Sequence, residues 1–369
     1  MMILFVMLSA SALFAFLSSS HVLNRYYSAF FSICSVVSVS VLNGIRDLSI
    51  GTDLGVYGNN VFIQARANML SFHDYMFECK AIGMTEYGYA IFNYIIAQFS
   101  SNIHIFYFLL GIFVNSIFYI SGFRNRERIP FSIAWITYLM IIYPATLNLL
   151  RQGVALALIS LMGSFLLSNK NISALLCILA ACSFHNSAVF AFIIYIFIYL
   201  ICRVNAAHRQ NMIVLVFLCV SAFVPTVVSW LDSKGLLSDK YSQYVVDTSL
   251  SISLISSLIA RIPFFVLSAY YLIKERSDSN KIDKSLFGIV GAELLLLPLQ
   301  NISSSAFRVA LYYGVYKIPG YPLLCKKFRG MSKIAYIIYV IYLMSYFYIQ
   351  TIRNGSGEIY PFVVAADTL

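Results

Sequence analysis

The chain has 369 residues, of which 60% are hydrophobic and 11% charged, with a net charge of +10 and a mean hydropathy of +0.81. Soluble domains carry about 25% charged and about 45–50% apolar residues, so a soluble globule and a disordered chain are both excluded. The apolar residues run in long blocks between short basic loops, which specifies an all-α polytopic membrane protein. It does not specify a β-barrel, whose strands alternate over about 10 residues.

In chain order, about twelve apolar blocks read as transmembrane spans: 2–20, 29–44, 103–122, 130–146, 149–168, 171–184, 187–202, 212–230, 254–273, 285–300, 304–324 and 334–352. The stretch Met1 to Ser20 has neither a basic n-region nor a small-x-small cleavage site, and reads as a retained first span. Segment 86–101 is too short and too polar to span, and is expected to be a re-entrant or interfacial helix. With that assignment, fifteen of the 25 Lys and Arg fall in loops on one side, which the positive-inside rule makes cytoplasmic. Both termini and two long loops, about 45–102 and about 231–253, then face outward. The whole of 1–369 reads as one transmembrane domain, with no phosphate-binding loop between spans. The basic residues are dispersed among loops and form no stripe for nucleic acid. Seven cysteines show no Cys-x-x-Cys spacing, so neither a disulfide framework nor a metal site is expected.

Polar groups inside or beside spans are costly and mark candidate sites. Arg151 and Gln152 stand at the outer end of an apolar block, just after Pro144 breaks the preceding one. Such a guanidinium either binds an anion in a cavity or snorkels to lipid headgroups. Gly153-x-x-x-Ala157 gives the same helix a close-packing face. Phe184-His185-Asn186-Ser187 forms the next external turn, and places His185 on the same face, as a structural or a reactive imidazole. A third polar turn, 300–308, ends at Arg308, and helical spacing sets Arg308, Tyr312 and Tyr316 on one side. That stripe is either an interfacial aromatic belt or a substrate lining. Glu293, in mid-span, is either protonated or paired, and pairing is the expectation. The first external loop holds Arg46, Asp47, Gly51, Thr52, Asp53 and Tyr57, and Glu86 opens the re-entrant helix. Carboxylates beside arginine can position a hydroxyl nucleophile and hold an anion, although such turns are also common surface structure.

Taken in order, Arg46-Asp47 with Gly51-Thr52-Asp53 and Tyr57, Glu86-Tyr87-Gly88-Tyr89 with Asn93, Leu150-Arg151-Gln152-Gly153-Val154-Ala155, Phe184-His185-Asn186-Ser187-Ala188, and Arg308-x-x-x-Tyr312 leading to Ile318-Pro319 resemble the EpsG-like family of exopolysaccharide and O-antigen polymerases (Wzy-type). The resemblance spans roughly 44–322. It implies a glycosyltransferase of GT-C-like fold in the bacterial inner membrane, active on the periplasmic face in exopolysaccharide or lipopolysaccharide biosynthesis. Donor and acceptor would be undecaprenyl-diphosphate-linked oligosaccharide units, without a metal, cofactor or nucleic acid. A chain-length regulator would be a further partner.

For that chemistry Arg151 and Arg308, with Arg46 in support, are the expected diphosphate cradle. His185, Asp53 and Glu86 are the alternatives for the base, and Gln152, Tyr312 and Tyr57 are the substrate lining. A lipid-linked oligosaccharide ligase uses the same donor and is the nearest alternative. A polysaccharide transporter or flippase is a further one, but no half-to-half repeat is visible and the polar groups lie at one face instead of the midplane.

Overall fold

The computed structural model describes residues 2–20, 22–233, 252–274, 280–297, 304–328 and 331–366. The chain opens with a hairpin of α1 (Met2–Ser18) and α2 (Arg25–Ile45), started at α2 by Asn24, whose side chain accepts from the backbone N–H groups of Tyr26 and Tyr27. Three short helices follow, α3 (Asn60–Ala67), α4 (Phe72–Ala81) and α5 (Tyr87–Phe99). Then come α6 (Ile103–Phe123), α7 (Phe131–Thr137), α8 (Tyr143–Asn148), α9 (Leu150–Leu167) and α10 (Asn171–Phe184). The remainder holds α11 (Phe192–Arg203), α12 (Ala207–Ser233), α13 (Ile252–Lys274), α14 (Lys281–Leu295), α15 (Ser304–Gly314), α16 (Lys317–Lys326) and α17 (Ser332–Phe347). Among the described residues the only β pairing is a single bridge between Arg46 and Val364.

Among the described residues, eight helical segments are long and apolar enough to cross a membrane, and Met2–Ser18 and Asn171–Phe184 are shorter apolar helices. The protein is thus an all-α, multi-pass membrane protein. Helix α9 is central and buried on nearly every face, as expected of a helix that is apolar all round. Polar side chains at depth find one another: Trp135 Nε1 donates to Ser11 Oγ at 2.9 Å, Ser121 and Ser160 meet at 2.9 Å, and Thr137 meets Tyr339 at 2.9 Å. Hydrocarbon offers no water to such groups, so these bonds lock neighbouring helices together.

Two sequence expectations change in detail. The first external segment, about 45–102, folds α3 and α4 as well as α5, the helix expected over 86–101. Helix α5 has 13 residues, about 20 Å at 1.5 Å per residue, short of the hydrocarbon core of about 30 Å. The 304–324 block is two helices, since α15 ends at Gly314 and α16 starts at Lys317. Of the second external loop, residues 234–251 lie outside the described residues, as do residues 300–303 of the polar turn before Arg308.

The antiparallel order gives the bundle two chemically different ends. At one, Arg124 donates to Ser164 Oγ at 3.1 Å, Lys281 to the Cys202 carbonyl at 2.8 Å, and Lys326 to the Arg128 carbonyl at 2.7 Å. The end of α2, the start of α6, the break between α8 and α9, and the end of α10 meet at the other. The second end carries the site.

Candidate active site

The site is assembled by places where helices stop. Between α8 and α9, Leu149 leaves helical geometry (φ −78°, ψ 76°), so Arg151 stands in the first turn of a new helix. Pro144 near the start of α8 belongs to the same irregular stretch. Asn148, the last residue of α8, accepts on Oδ1 from the Asp53 backbone N–H at 3.1 Å. Gly51 makes that approach feasible, because it holds φ +90° and a Cβ there would lie 2.7 Å from Asn148 Oδ1. A wider helical turn over Leu54–Asn59 then carries Tyr57.

Around Arg151 the contacts are close. Arg151 Nη1 donates to Glu86 Oε2 at 2.8 Å, with both side chains nearly fully buried. The same carboxylate oxygen accepts from the Thr85 backbone N–H at 3.2 Å. His185 Nδ1 faces the other oxygen, Oε1, at 3.5 Å, beyond good hydrogen-bond distance, and is buried without a hydrogen-bond partner. The Arg151 guanidinium stacks over the Tyr57 ring at 3.4 Å, and Tyr89 donates to the Tyr57 carbonyl at 3.1 Å. Gly88 lets α5 come this near to α10: a Cβ there would sit 2.5 Å from Ser183 Oγ. Asn186 donates to Thr85 Oγ1 at 3.2 Å across the same junction.

Beside this cluster Arg308 Nη2 stands 3.9 Å from Asp53 Oδ1, and the arginine side chain is 26% exposed. Gln152 Nε2 holds the Arg308 carbonyl at 2.8 Å, while its Oε1 is buried without a hydrogen-bond partner. Tyr312 and Ser187 share a hydrogen bond at 3.1 Å, which joins α15 to the turn after His185.

The three titratable groups are tuned apart. Burial would raise Glu86, but the His185 imidazole and the Arg151 charge outweigh it and hold the carboxyl at about 2. Asp53 moves the other way: burial raises it, and Arg308 and Arg151 only partly oppose the rise. Burial lowers His185 despite the facing Glu86 carboxylate, with Arg151 adding to the effect, so its imidazole favours the neutral form.

Asp53, Glu86, Arg151, His185 and Arg308, with Gln152, Tyr57 and Tyr312, therefore come together from five distant stretches of chain. Arg46 is set apart. It is fully buried, donates from Nη1 to the Leu147 carbonyl and lies 4.9 Å over the Tyr107 ring. Burial lowers its pKa to about 10. Its backbone bridges to Val364, so it joins the C-terminal tail to the site's floor. Tyr316 also departs from the expected stripe. Because α15 ends at Gly314, Tyr316 turns inward and donates to the Ile159 carbonyl at 3.2 Å.

Some participants carried no sequence signal. Asn148 is an ordinary helix-end amide until Asp53 is folded against it. Glu358, 306 positions from Thr52, accepts from the Thr52 backbone N–H at 2.8 Å and adds negative charge near Asp53. Deeper in the bundle Glu293 is paired as expected, with Arg261 Nε at 2.8 Å and Lys317 Nζ at 2.7 Å. Neither cation was legible as its partner without the packing of α13 and α16 on α14. Among the described residues no three His, Cys, Asp or Glu gather as metal ligands.

Neither the curated proteins nor the solved structures give a match to this chain. The EpsG family model does match, over residues 29–364, a range that takes in every residue of the cluster. The chain belongs to the EpsG family.

Proposed function

We propose that this protein is an exopolysaccharide or O-antigen polymerase that joins lipid-diphosphate-linked oligosaccharide units at the Arg151–Arg308 end of the bundle. The observation that carries the reading is the pairing of two guanidinium groups with two carboxylates, Arg151 with Glu86 and Arg308 with Asp53, at the end of a membrane-embedded bundle. By the positive-inside rule, the opposite, basic end faces the cytoplasm of a bacterial inner membrane and the site faces the periplasm. An undecaprenyl diphosphate donor then reaches it from the bilayer. The twelve-span count and a GT-C-like architecture belong to the same proposal.

The chemistry follows from the residues. The acceptor hydroxyl oxygen attacks the anomeric carbon of the donor sugar, the bond from that carbon to the diphosphate oxygen breaks, and the electron pair leaves with the lipid diphosphate. Arg308, partly exposed and only loosely engaged by Asp53, meets the developing negative charge. Arg151, fixed between Glu86 and Tyr57, contributes positive potential from behind. The hydroxyl proton passes to Asp53, whose raised pKa suits a proton acceptor better than the strongly ionised Glu86. Glu86 instead orients Arg151 and His185, and neutral His185, with Gln152, Tyr57 and Tyr312, lines the sugar side. A single displacement of this kind inverts the anomeric centre.

The test uses the purified full-length chain in liposomes with a lipid-diphosphate-linked oligosaccharide. Growth of multimers with release of lipid diphosphate supports the reading. Transfer only to a different acceptor, as by a ligase, or transport without elongation, as by a flippase, overturns it.

A further inference from the structure

At the opposite, basic end a cavity of about 710 Å³ opens where the loop after α6 meets α13, α14 and α16. Four cations converge on it from three separate stretches: Arg128, Lys274, Lys326 and Lys327. Against them stand Glu127 and Asp283, and Asp283 is already engaged by Lys327 at 2.5 Å. The described lining thus carries an excess of positive charge. Lys326 donates to the Arg128 carbonyl at 2.7 Å, so two of the cationic segments are held in one relative position before any ligand arrives. Apart from Asn280, the remaining wall is apolar and aromatic, from Ile129, Tyr270, Tyr271, Ile282 and Leu323.

The depth of the cavity matters as much as its charge. Lys274 ends a spanning helix and Lys326 ends α16, so the cavity sits where helix ends meet the headgroup layer. Helix α14 starts there, and its N-terminus adds a favourable dipole for an anion. A water-filled phosphate site would have no use for the apolar wall, whereas a lipid presents a phosphodiester and glycerol-acyl surface together.

We propose that this cavity holds the phosphodiester headgroup of an anionic phospholipid, at the end of the protein remote from the polymerisation site. Arg128, Lys274 and Lys326 contact the phosphate and the tyrosines and Leu323 pack on the glycerol region. The proposal does not depend on the polymerase reading, because its readout is lipid retention.

The experiment is native mass spectrometry of the detergent-purified full chain with defined lipids. Phosphatidylglycerol should remain bound at concentrations where phosphatidylcholine does not. The triple variant Arg128→Gln/Lys274→Gln/Lys326→Gln should bind phosphatidylglycerol about tenfold more weakly. The double variant Lys170→Gln/Arg209→Gln, which removes charge from other basic-side loops outside the lining, should change it less than about twofold. Equal retention of the two lipids by the native protein overturns the proposal, and that comparison needs no variant to fold. So does an equal loss in the double variant, which would indicate diffuse surface attraction. Full displacement of the lipid by glycerol phosphate at equal concentration also overturns it, since the cavity would then be a site for soluble phosphate.

Discussion

Glu86 grips Arg151 at 2.8 Å through one carboxylate oxygen while the other faces the His185 imidazole at 3.5 Å, so a single buried acid holds the arginine and sets the charge beside the histidine. An isolated buried charge is expensive, and breaking a buried pair from one side costs about 3–5 kcal/mol because the survivor is stranded. Arg151→Ala should therefore lower the melting temperature in detergent and abolish polymer. Arg151→Lys should also fail to restore polymer, since a lysine cannot both reach the carboxylate and stack flat on Tyr57. Chain-length analysis of polysaccharide from complemented cells, with a melting curve for each variant, checks both outcomes.

Arg308 should behave differently. The acid it would leave behind, Asp53, is only 9% exposed, but the contact is long at 3.9 Å and burial already raises the Asp53 pKa, so that carboxyl can take up a proton and no charge stays stranded. Arg308→Ala should leave the melting temperature nearly unchanged and reduce turnover about 10²-fold or more, the usual cost of losing one electrostatic donor to a developing negative charge. Initial rates of elongation at saturating donor separate this from a loss of binding.

Acid should weaken the fold through Glu86. The carboxyl sits at about 2 in the folded protein and near about 4.3 in an unfolded chain, so the unfolded state holds the proton more tightly between those values. The stabilisation is fully present above about pH 4.3, amounts to about 3 kcal/mol, and is lost as the pH falls towards 2. Asp53 has the opposite sign, because its folded pKa is raised: its contribution is present at low pH and is lost as the group ionises. The melting temperature of the native protein should fall between pH 5 and pH 3 by the amount that losing about half of that 3 kcal/mol implies, and Glu86→Gln should be flatter over that window. An equally steep fall in the variant contradicts the assignment.

Much of this was visible in the sequence, for a physical reason. Spans must be apolar along their whole length, and charges at their ends are rare enough to stand out, so most helices and the residues Arg151, His185 and Arg308 were legible, whereas Asp53 and Glu86, in the first external segment, stood out only through the ordered motifs. Gly51 and Gly88 were also visible, as members of the ordered motifs. What they make room for, Asn148 and Ser183, was not, because close approach between distant stretches has no local signature. The role of Arg46 depended on the C-terminal tail reaching back to it through Val364, a contact over more than 300 residues. Tyr316 departed from its stripe because a helix break two residues earlier reset the 3.6-residue period.

Gly51 offers a local test of that close approach. At φ +90°, with Asn148 Oδ1 only 2.7 Å from where a Cβ would stand, Gly51→Ala must bend the loop that carries Asp53. A cost of about 1–3 kcal/mol is expected for a side chain forced into that conformation, with a larger loss of polymer than of folded protein. Protein yield and polymer length, measured in the same cells, separate the two.

The triad Arg261–Glu293–Lys317 makes a different stability prediction. Glu293→Gln leaves two cations facing each other in the bundle and should destabilise it by about 3–5 kcal/mol, whereas the apolar replacement Arg261→Met/Glu293→Leu/Lys317→Met should fold about as well as the native chain. Melting temperatures in one detergent, with the Glu293→Gln variant below the triple variant, are the check.

The central claim is that a guanidinium at Arg308 neutralises the departing lipid diphosphate. Its most direct measurement is elongation by purified Arg308→Ala with and without added guanidinium ion, using a lipid-diphosphate-linked unit as both donor and acceptor. Slow elongation that added guanidinium accelerates, while sodium at the same ionic strength does not, is the expected result. Elongation at the native rate in Arg308→Ala without any additive would contradict it.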